Sequence, residues 1–230
     1  MQKNLLSEEA QWKSFYKFFG VMAIVLFAFI PFQVAVYFIS PPPKSVIEYF
    51  SLFQRNCLLG LLDLDLGLTI DNIIFMLVYI GLYAVMKRYN KPLTTTGLVF
   101  AVISTALYLV SREVSFSMIS LSSQYTSAVS EAEKASIVTI GSTLLAIYNG
   151  TCFDISYVLG GVSIILFSIA MLKSDLFTEA FAWLGIIMGI LMLVPPTMGK
   201  FGFVVSFISI IPLMPWLIIV AIRFFRLAKV

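Results

Sequence analysis

Six long apolar runs, separated by short polar stretches, constrain this chain more than any other feature of its sequence. A helix of roughly 20 apolar residues crosses a hydrocarbon layer about 30 Å thick. The runs cover residues 18–39, 66–86, 94–116, 151–172, 178–195 and 202–224. In hydrocarbon every backbone N–H and C=O must be paired within the protein, so such runs fold as helices. The sequence therefore predicts an all-α integral membrane six-helix bundle, a single transmembrane domain over residues 1–230.

The composition narrows the chemistry that this bundle can perform. Only 12% of the residues are charged, and six spans leave no room for a separate soluble domain. The net charge of +3 is small and no basic block alternates with aromatic residues, which excludes a nucleic-acid groove. The sequence contains no histidine, which removes His-ligated zinc and Ser-His or Cys-His nucleophile pairs. We predict no metal, no cofactor and no catalytic residue.

Two shorter stretches, residues 46–62 and 134–149, are partly apolar but too short to cross a bilayer. We expect both to be short interfacial helices on the outer side. In the first, Val46, Phe50, Phe53 and Cys57 recur at helical spacing, which favours an amphipathic helix resting on the bilayer. A plain surface loop is the alternative.

The distribution of basic residues predicts the orientation, because Lys and Arg are retained on the cytoplasmic side. With the N-terminus inside, ten of the 15 Lys and Arg residues fall in cytoplasmic segments and four in outer segments, while Arg112 lies within a span. We predict both termini in the cytoplasm (N-in/C-in) of a multi-pass protein of the plasma membrane. Its certain partner is the lipid bilayer, and its oligomeric state stays open.

Small and polar residues form stripes that predict which helix faces meet, because such residues allow close helix approach. The third run has the longest stripe, spaced by alternating steps of four and three: Gly97, Ala101, Ser104, Tyr108, Ser111 and Ser115. The second and fourth runs carry similar stripes: Gly67, Asp71, Val78 and Gly81, and Gly150, Asp154, Tyr157, Gly161 and Ser168. These three helices are predicted to form the centre of the bundle.

Two segments carry a family resemblance. The sequence RNCLLGLLD from Arg55 to Asp63, followed by YIGLYAVMKRYNKPL from Tyr79 to Leu93, resembles a bacterial multi-pass membrane family known as domain of unknown function 4386. The stretch LKSDLFTEAFAWLGIIMGIL, residues 172–191, resembles that family's loop and following helix. The resemblance implies a helical membrane bundle. It implies no activity and no functional residue, because the family is uncharacterised.

Four ionisable residues fall inside the predicted spans: Asp71, Arg112, Glu113 and Asp154. An ionised side chain at the centre of a span costs about 2.5 to 3.5 kcal/mol, so each one needs a reason. All four fall in the outer third of the bilayer, and Arg112 borders the stripe that faces the helices of Asp71 and Asp154. We expect Arg112 to lie between these two carboxylates, and Glu113, turned about 100° away, to point toward the headgroups.

These residues predict a polar pocket that opens toward the outer leaflet. The candidate ligand-binding residues are Asp71, Asn72, Tyr108, Arg112, Glu113, Asp154 and Tyr157. Carboxylates outnumber the one Arg, so an acidic pocket would bind or transport a small cation or a cationic amphiphile. One alternative is a membrane-embedded, lipid-modifying enzyme. Another is a structural or immunity-type membrane protein, in which the polar residues only dock the helices and no ligand binds.

The two cysteines, Cys57 and Cys152, both fall at the predicted outer boundary. An oxidising compartment would permit a disulfide between them, which would pin the interfacial helix over the fourth span. Two separate thiols are the alternative.

Overall fold

A computed structural model of the chain describes residues 2–229, with side chains from residue 12 onward. Every regular element in these residues is a helix. The ten helices are α1 (Gln2–Ile39), α2 (Val46–Arg55), α3 (Cys57–Asp63), α4 (Leu66–Met86), α5 (Lys91–Ser111), α6 (Val114–Ser127), α7 (Glu131–Tyr148), α8 (Thr151–Met171), α9 (Glu179–Leu191) and α10 (Gly199–Leu227). The prediction of an all-helical chain is confirmed.

Five helical segments within the described residues are long and apolar enough to cross a membrane, so this is a protein of membrane type. They are Trp12–Ile39, Leu66–Met86, Lys91–Ser127, Glu131–Met171 and Gly199–Leu227. The remaining predicted span, 178–195, corresponds to the shorter apolar helix α9. The count of six spans and the side on which the termini lie stay predictions.

Helix boundaries follow from local chemistry. Pro41, Pro42 and Pro43 follow α1, and proline supplies no amide hydrogen to continue a helix. The side chains of Ser45 and Asn90 cap α2 and α5 by accepting a backbone N–H from the first helical turn. Such caps pair amides that the helix itself leaves open.

Helix α5 packs along α8 through small polar residues. The hydroxyl of Ser163 donates to the carbonyl of Gly97 at 2.8 Å, and Ser104 donates to the carbonyl of Ser156 at 2.6 Å. The buried face of α5 contains Gly97, Ala101, Ser104, Tyr108 and Ser111, so the predicted stripe is its packing face. Close approach of the two backbones makes these interhelical hydrogen bonds possible.

Helices α1 and α10 lie antiparallel. The rings of Tyr16 and Phe224 stack with centroids 6.3 Å apart, while Tyr37, far along α1, contacts Phe203 near the start of α10 at 5.9 Å. The start of α1 and the end of α10 therefore share one end of the bundle, called here the terminal end. The opposite end, called the cap end, is where α4 and α8 begin and α5 ends.

Helix α9 and the non-helical residues after it return the chain along α8. Gly189 lies against the backbone of Gly161, and further toward the cap end Thr197 donates a hydrogen bond to Asp154. Gly185 and Gly189 of α9 thus both pack closely against α8. Residues 192–198 contain turns rather than a helix, and they lie against α8 through Met192 and Thr197.

Helices α2, α3, α6 and α7 form a second, smaller apolar cluster, the cap, centred on Phe50, Met118 and Ile137. The expectation that α2 rests on the bilayer is wrong, because its apolar face packs on α6 and α7. Cys57 does not share that face: Asn56 ends α2 and caps α3, so the helical phase breaks and Cys57 is exposed. Helix α6, over residues predicted mostly as a loop, supplies much of the cluster.

Candidate functional site

A cavity of about 640 Å³ lies at the cap end of the bundle. Its walls come from the second half of α1, the start of α4, the end of α5, the start of α8 and the first half of α10. The end of α7 also lines it. The non-helical segment 192–198 contributes Met192, Pro196 and Thr197. Most of the lining is aromatic or aliphatic, and a few charged and polar groups converge on one side. This combination is typical of a small-molecule site.

Arg112 is the only cation among the described residues that line the cavity. It lies at the break between α5 and α6, and its Nη2 is 2.7 Å from Oδ2 of Asp65. Its Nη1 donates to the carbonyl of Tyr148 at 2.8 Å. The guanidinium carbon lies 4.6, 3.9 and 4.4 Å from the ring centroids of Tyr108, Tyr148 and Phe153. An ion pair and three cation–π contacts therefore hold the charge of Arg112 at one side of the cavity.

Asp71 faces the cavity from the second turn of α4 and is only 5% exposed. One carboxylate oxygen, Oδ2, accepts a hydrogen bond from the amide of Gln33 on α1. Gly67, one turn before Asp71, permits this contact, because a Cβ at that position would lie 2.6 Å from Oε1 of Gln33. The second oxygen, Oδ1, has no hydrogen-bond partner within residues 12–229. Asp71 thus contributes to the cavity lining a buried carboxylate with one unpaired oxygen.

Two further carboxylates, Asp63 and Asp65, line the cavity at the junction of α3 and α4. Asp65 adopts a left-handed backbone (φ 62°), a conformation that Asp tolerates better than most residues, and this turns the chain from α3 into α4. Asp63 is buried, which raises the pKa of its carboxyl to about 6, and the neighbouring charge of Asp65 adds to the shift. Three carboxylates therefore face one guanidinium in the described lining of the cavity.

Comparison with known protein families gives one clear match. The model described as Domain of unknown function (DUF4386) matches residues 64–227, more than half of the chain. The chain belongs to this family. The comparisons with curated proteins and with solved structures found no match. The resemblance read from residues 55–93 and 172–191 is confirmed, and the matched region includes α4 to α10.

Five of the seven predicted binding residues line the cavity of this DUF4386 chain: Asp71, Asn72, Tyr108, Arg112 and Tyr157. The other two lie outside its lining. Glu113 is exposed, as its rotation from Arg112 predicts. Asp154 accepts a hydrogen bond from Thr197. Thr197 lines the cavity, whereas Asp154 does not. Arg112 therefore pairs with Asp65 and not with Asp71 or Asp154.

Sequence reasoning missed several polar residues of the site. Gln33 gave no signal, because a single amide within a span carries no charge to attract attention. Asp63 and Asp65 precede the predicted span 66–86 and are not among the predicted binding residues, although they are close to Asp71 in the sequence. Tyr148 falls in the stretch 134–149, predicted as an interfacial helix, and is not among the predicted binding residues. In the structure it lies at the end of α7, with its ring against Arg112.

The remaining predictions concern covalent and metal chemistry. Over the described residues, Cys57 and Cys152 are both free thiols, Cys57 exposed and Cys152 half-buried. The disulfide between them stays a prediction that alkylation and non-reducing gels would test. No group of three or more acidic or Cys side chains in residues 12–229 is arranged to hold a metal ion.

Proposed function

We propose that this DUF4386 protein binds, and as a transporter moves, a small cationic amphiphile in the cavity at the cap end of the bundle. The observation that carries the proposal is the unpaired oxygen of Asp71, buried on the wall of a largely apolar cavity. A buried acceptor without a partner costs about 1–3 kcal/mol, so a ligand that donates a hydrogen bond there would recover this energy. A docking scaffold would instead need fully paired polar groups and no cavity.

Charge and shape support a cationic amphiphile over other ligands. The described lining carries Asp63, Asp65 and Asp71 against Arg112, so its formal balance favours a positive group. Low-dielectric walls focus such a field on the interior of the cavity. The apolar surface of Phe75, Phe203 and neighbouring residues suits a hydrocarbon portion.

We further propose six crossings with both termini in the cytoplasm, so that the cavity faces the outer side. Two observations support this. The antiparallel packing of α1 and α10 puts the start of α1 and the end of α10 at the same end of the bundle. Residues 179–197 also return along α8 toward the cap end. Single cysteines in a Cys-free background, placed at positions 44 and 173, test this. Labelling of whole cells by a membrane-impermeant maleimide should modify position 44 and spare position 173.

Thermal unfolding of the purified protein in non-ionic micelles tests the binding. Dodecylamine, cationic at neutral pH, should raise the melting temperature, with the shift growing as the logarithm of its concentration above Kd, and uncharged dodecanol should not. Asp71→Asn keeps the shape but removes the charge, and it should abolish the response. Glu179→Gln, an exposed acid at the terminal end, is the matched control and should retain it. An equal response of wild type and Asp71→Asn would remove Asp71 from the site.

A further inference from the structure

Four buried polar atoms on the wall of the cavity find no hydrogen-bond partner among the described residues. Two are acceptors, Oδ2 of Asp63 and Oδ1 of Asp71, and two belong to donor groups, the hydroxyl of Tyr108 and Nε of Arg112. Each of these four residues is at most 8% exposed. They are called here the four unpaired atoms. Both kinds of unpaired hydrogen-bonding group therefore belong to residues that line one hollow.

The acceptors favour a particular kind of cation. A carboxylate oxygen accepts N–H bonds, and a primary ammonium has three of them, whereas a quaternary ammonium has none. Quaternary groups are usually held by a cage of aromatic rings. Here the rings of Tyr108, Tyr148 and Phe153 already surround the guanidinium of Arg112. The cavity therefore suits a primary ammonium better than a quaternary one.

The donors call for an anionic group on the same ligand. A simple cation could pair with Asp71 and Asp63 but would leave the Tyr108 hydroxyl and Arg112 Nε buried and unpaired, which costs free energy. A simple anion could pair with the donors but would meet an excess of carboxylates. Phosphate and carboxylate oxygens accept strong hydrogen bonds from guanidinium and hydroxyl groups. Only a ligand with both charges satisfies both sets of atoms.

We infer that the cavity selects a zwitterionic ligand in which a primary ammonium lies a few bonds from an anionic group, with the ammonium at Asp63 and Asp71 and the anion at Tyr108 and Arg112. The inference rests on the proposed function and adds an anionic group to its ammonium-bearing ligand. An aminoalkyl phosphate has this chemistry, either as the headgroup of a lipid or as a free solute. The apolar walls near Phe203 and Ile210 would hold the tail of the lipid form.

Binding to the purified full chain in non-ionic micelles tests the inference with four single-chain amphiphiles. Lysophosphatidylethanolamine carries both groups, dodecylamine only the ammonium, lysophosphatidic acid only the phosphate, and lysophosphatidylcholine a quaternary ammonium. We expect the first to bind at least about tenfold more tightly than each of the others, since it alone pairs both sets of atoms. Free phosphoethanolamine separates the two sources: equal affinity indicates a solute, and much weaker affinity indicates a lipid headgroup.

Tyr108→Phe is the decisive variant, because it removes the phenol oxygen and keeps the ring that lies against Arg112. It should weaken lysophosphatidylethanolamine about tenfold, leave dodecylamine within about twofold and leave the melting temperature of the ligand-free protein unchanged. Tyr125→Phe, in the cap and outside the cavity lining, is the matched control and should bind like wild type.

Two results overturn the inference. One is binding of dodecylamine as tight as that of lysophosphatidylethanolamine, and the other is an unchanged affinity of Tyr108→Phe for lysophosphatidylethanolamine. If either result is found and dodecylamine still binds in a way that depends on Asp71, the inference is wrong but the proposed function is supported. Failure of every cationic probe to bind overturns the proposed function as well.

Discussion

The two ends of the helical bundle are built differently. At the terminal end, Tyr16, Phe19 and Phe224 stack into one another and fill the space between α1, α4 and α10. Gly81 of α4 is packed so closely there that a Cβ would lie 2.7 Å from the rings of both Phe19 and Phe224. At the cap end the same three helices diverge around a hollow of about 640 Å³.

Different interactions stabilise the two ends of the bundle. Apolar packing holds the terminal end, where dispersion contacts and burial act on every residue. At the cap end the ion pair of Arg112 with Asp65 and the contact of Gln33 with Asp71 join the elements instead. Space and unpaired polar groups cost stability, and proteins retain such costs at functional sites. The hollow end is therefore the end at which to look for function.

The largest expected effect comes from removing the buried cation of the cap end. Arg112→Met leaves the carboxylate of Asp65 without its partner and should reduce the free energy of unfolding by about 3 kcal/mol. Thermal unfolding in micelles measures the loss. Lys200→Met, an exposed cation that takes part in no described ion pair, is the control and should change stability by less than about 0.5 kcal/mol.

A double variant makes this prediction specific to the ion pair. If the pair holds the cap to the bundle, Arg112→Met combined with Asp65→Asn should cost less than the two single changes added together. Additive losses would contradict the account, because they would mean that Arg112 acts through its aromatic contacts and its hydrogen bond to Tyr148 and not through Asp65.

A matched pair of glycine substitutions compares the packing of the two ends directly. Gly81→Ala should destabilise the protein by about 1–3 kcal/mol, because two rigid rings lie where the methyl group would go. Gly160 borders the cavity, where an added Cβ would lie 3.2 Å from Oγ of Ser104, so Gly160→Ala should cost less than about 1 kcal/mol, with helix propensity offsetting part of the contact. Equal losses, measured by thermal unfolding, would mean that the ends do not differ in packing.

The sequence predicted the helical class and much of the cavity for a clear physical reason. Hydrocarbon forces the backbone into helices, and buried ionisable groups are rare enough to stand out, which is how Asp71 and Arg112 were found. The phase of a stripe can likewise be read from spacing, as Gly97 to Ser111 on α5 demonstrates.

Other features of the site could not be read, because they depend on how distant segments meet. The partner of Arg112 is Asp65 because Asp65 adopts a left-handed backbone that brings α3 and α4 together, and spacing along one helix cannot indicate such a turn. The contribution of Gln33 depends on α1 approaching α4 at Gly67. The apolar face of α2 was visible, but whether lipid or protein covers such a face is decided by tertiary packing.

The smallest expected effect is a pH dependence of stability at the cap end. Burial raises the pKa of Asp63 from 3.8 to about 6, so between these values the folded protein holds a proton that the unfolded chain has lost. The free energy of unfolding should therefore decrease as pH rises from about 4 to about 6, by on the order of 1 kcal/mol after allowance for solvent screening. The charged groups that share a hollow with Asp63 are Asp65, Asp71 and Arg112 on one side and Glu48 and Arg55 on the other.

Asp63→Asn isolates this contribution, because it removes the titration and retains the shape of the side chain. The difference in unfolding free energy between the variant and wild type should grow in favour of the variant from pH 4 to pH 6 and then level off. Glu179→Gln, exposed at the densely packed terminal end, should give a flat difference over the same range. If Asp63→Asn is equally flat, the carboxyl is hydrated in the folded protein. The cap end would then be less dry, and less different from the terminal end, than its geometry indicates.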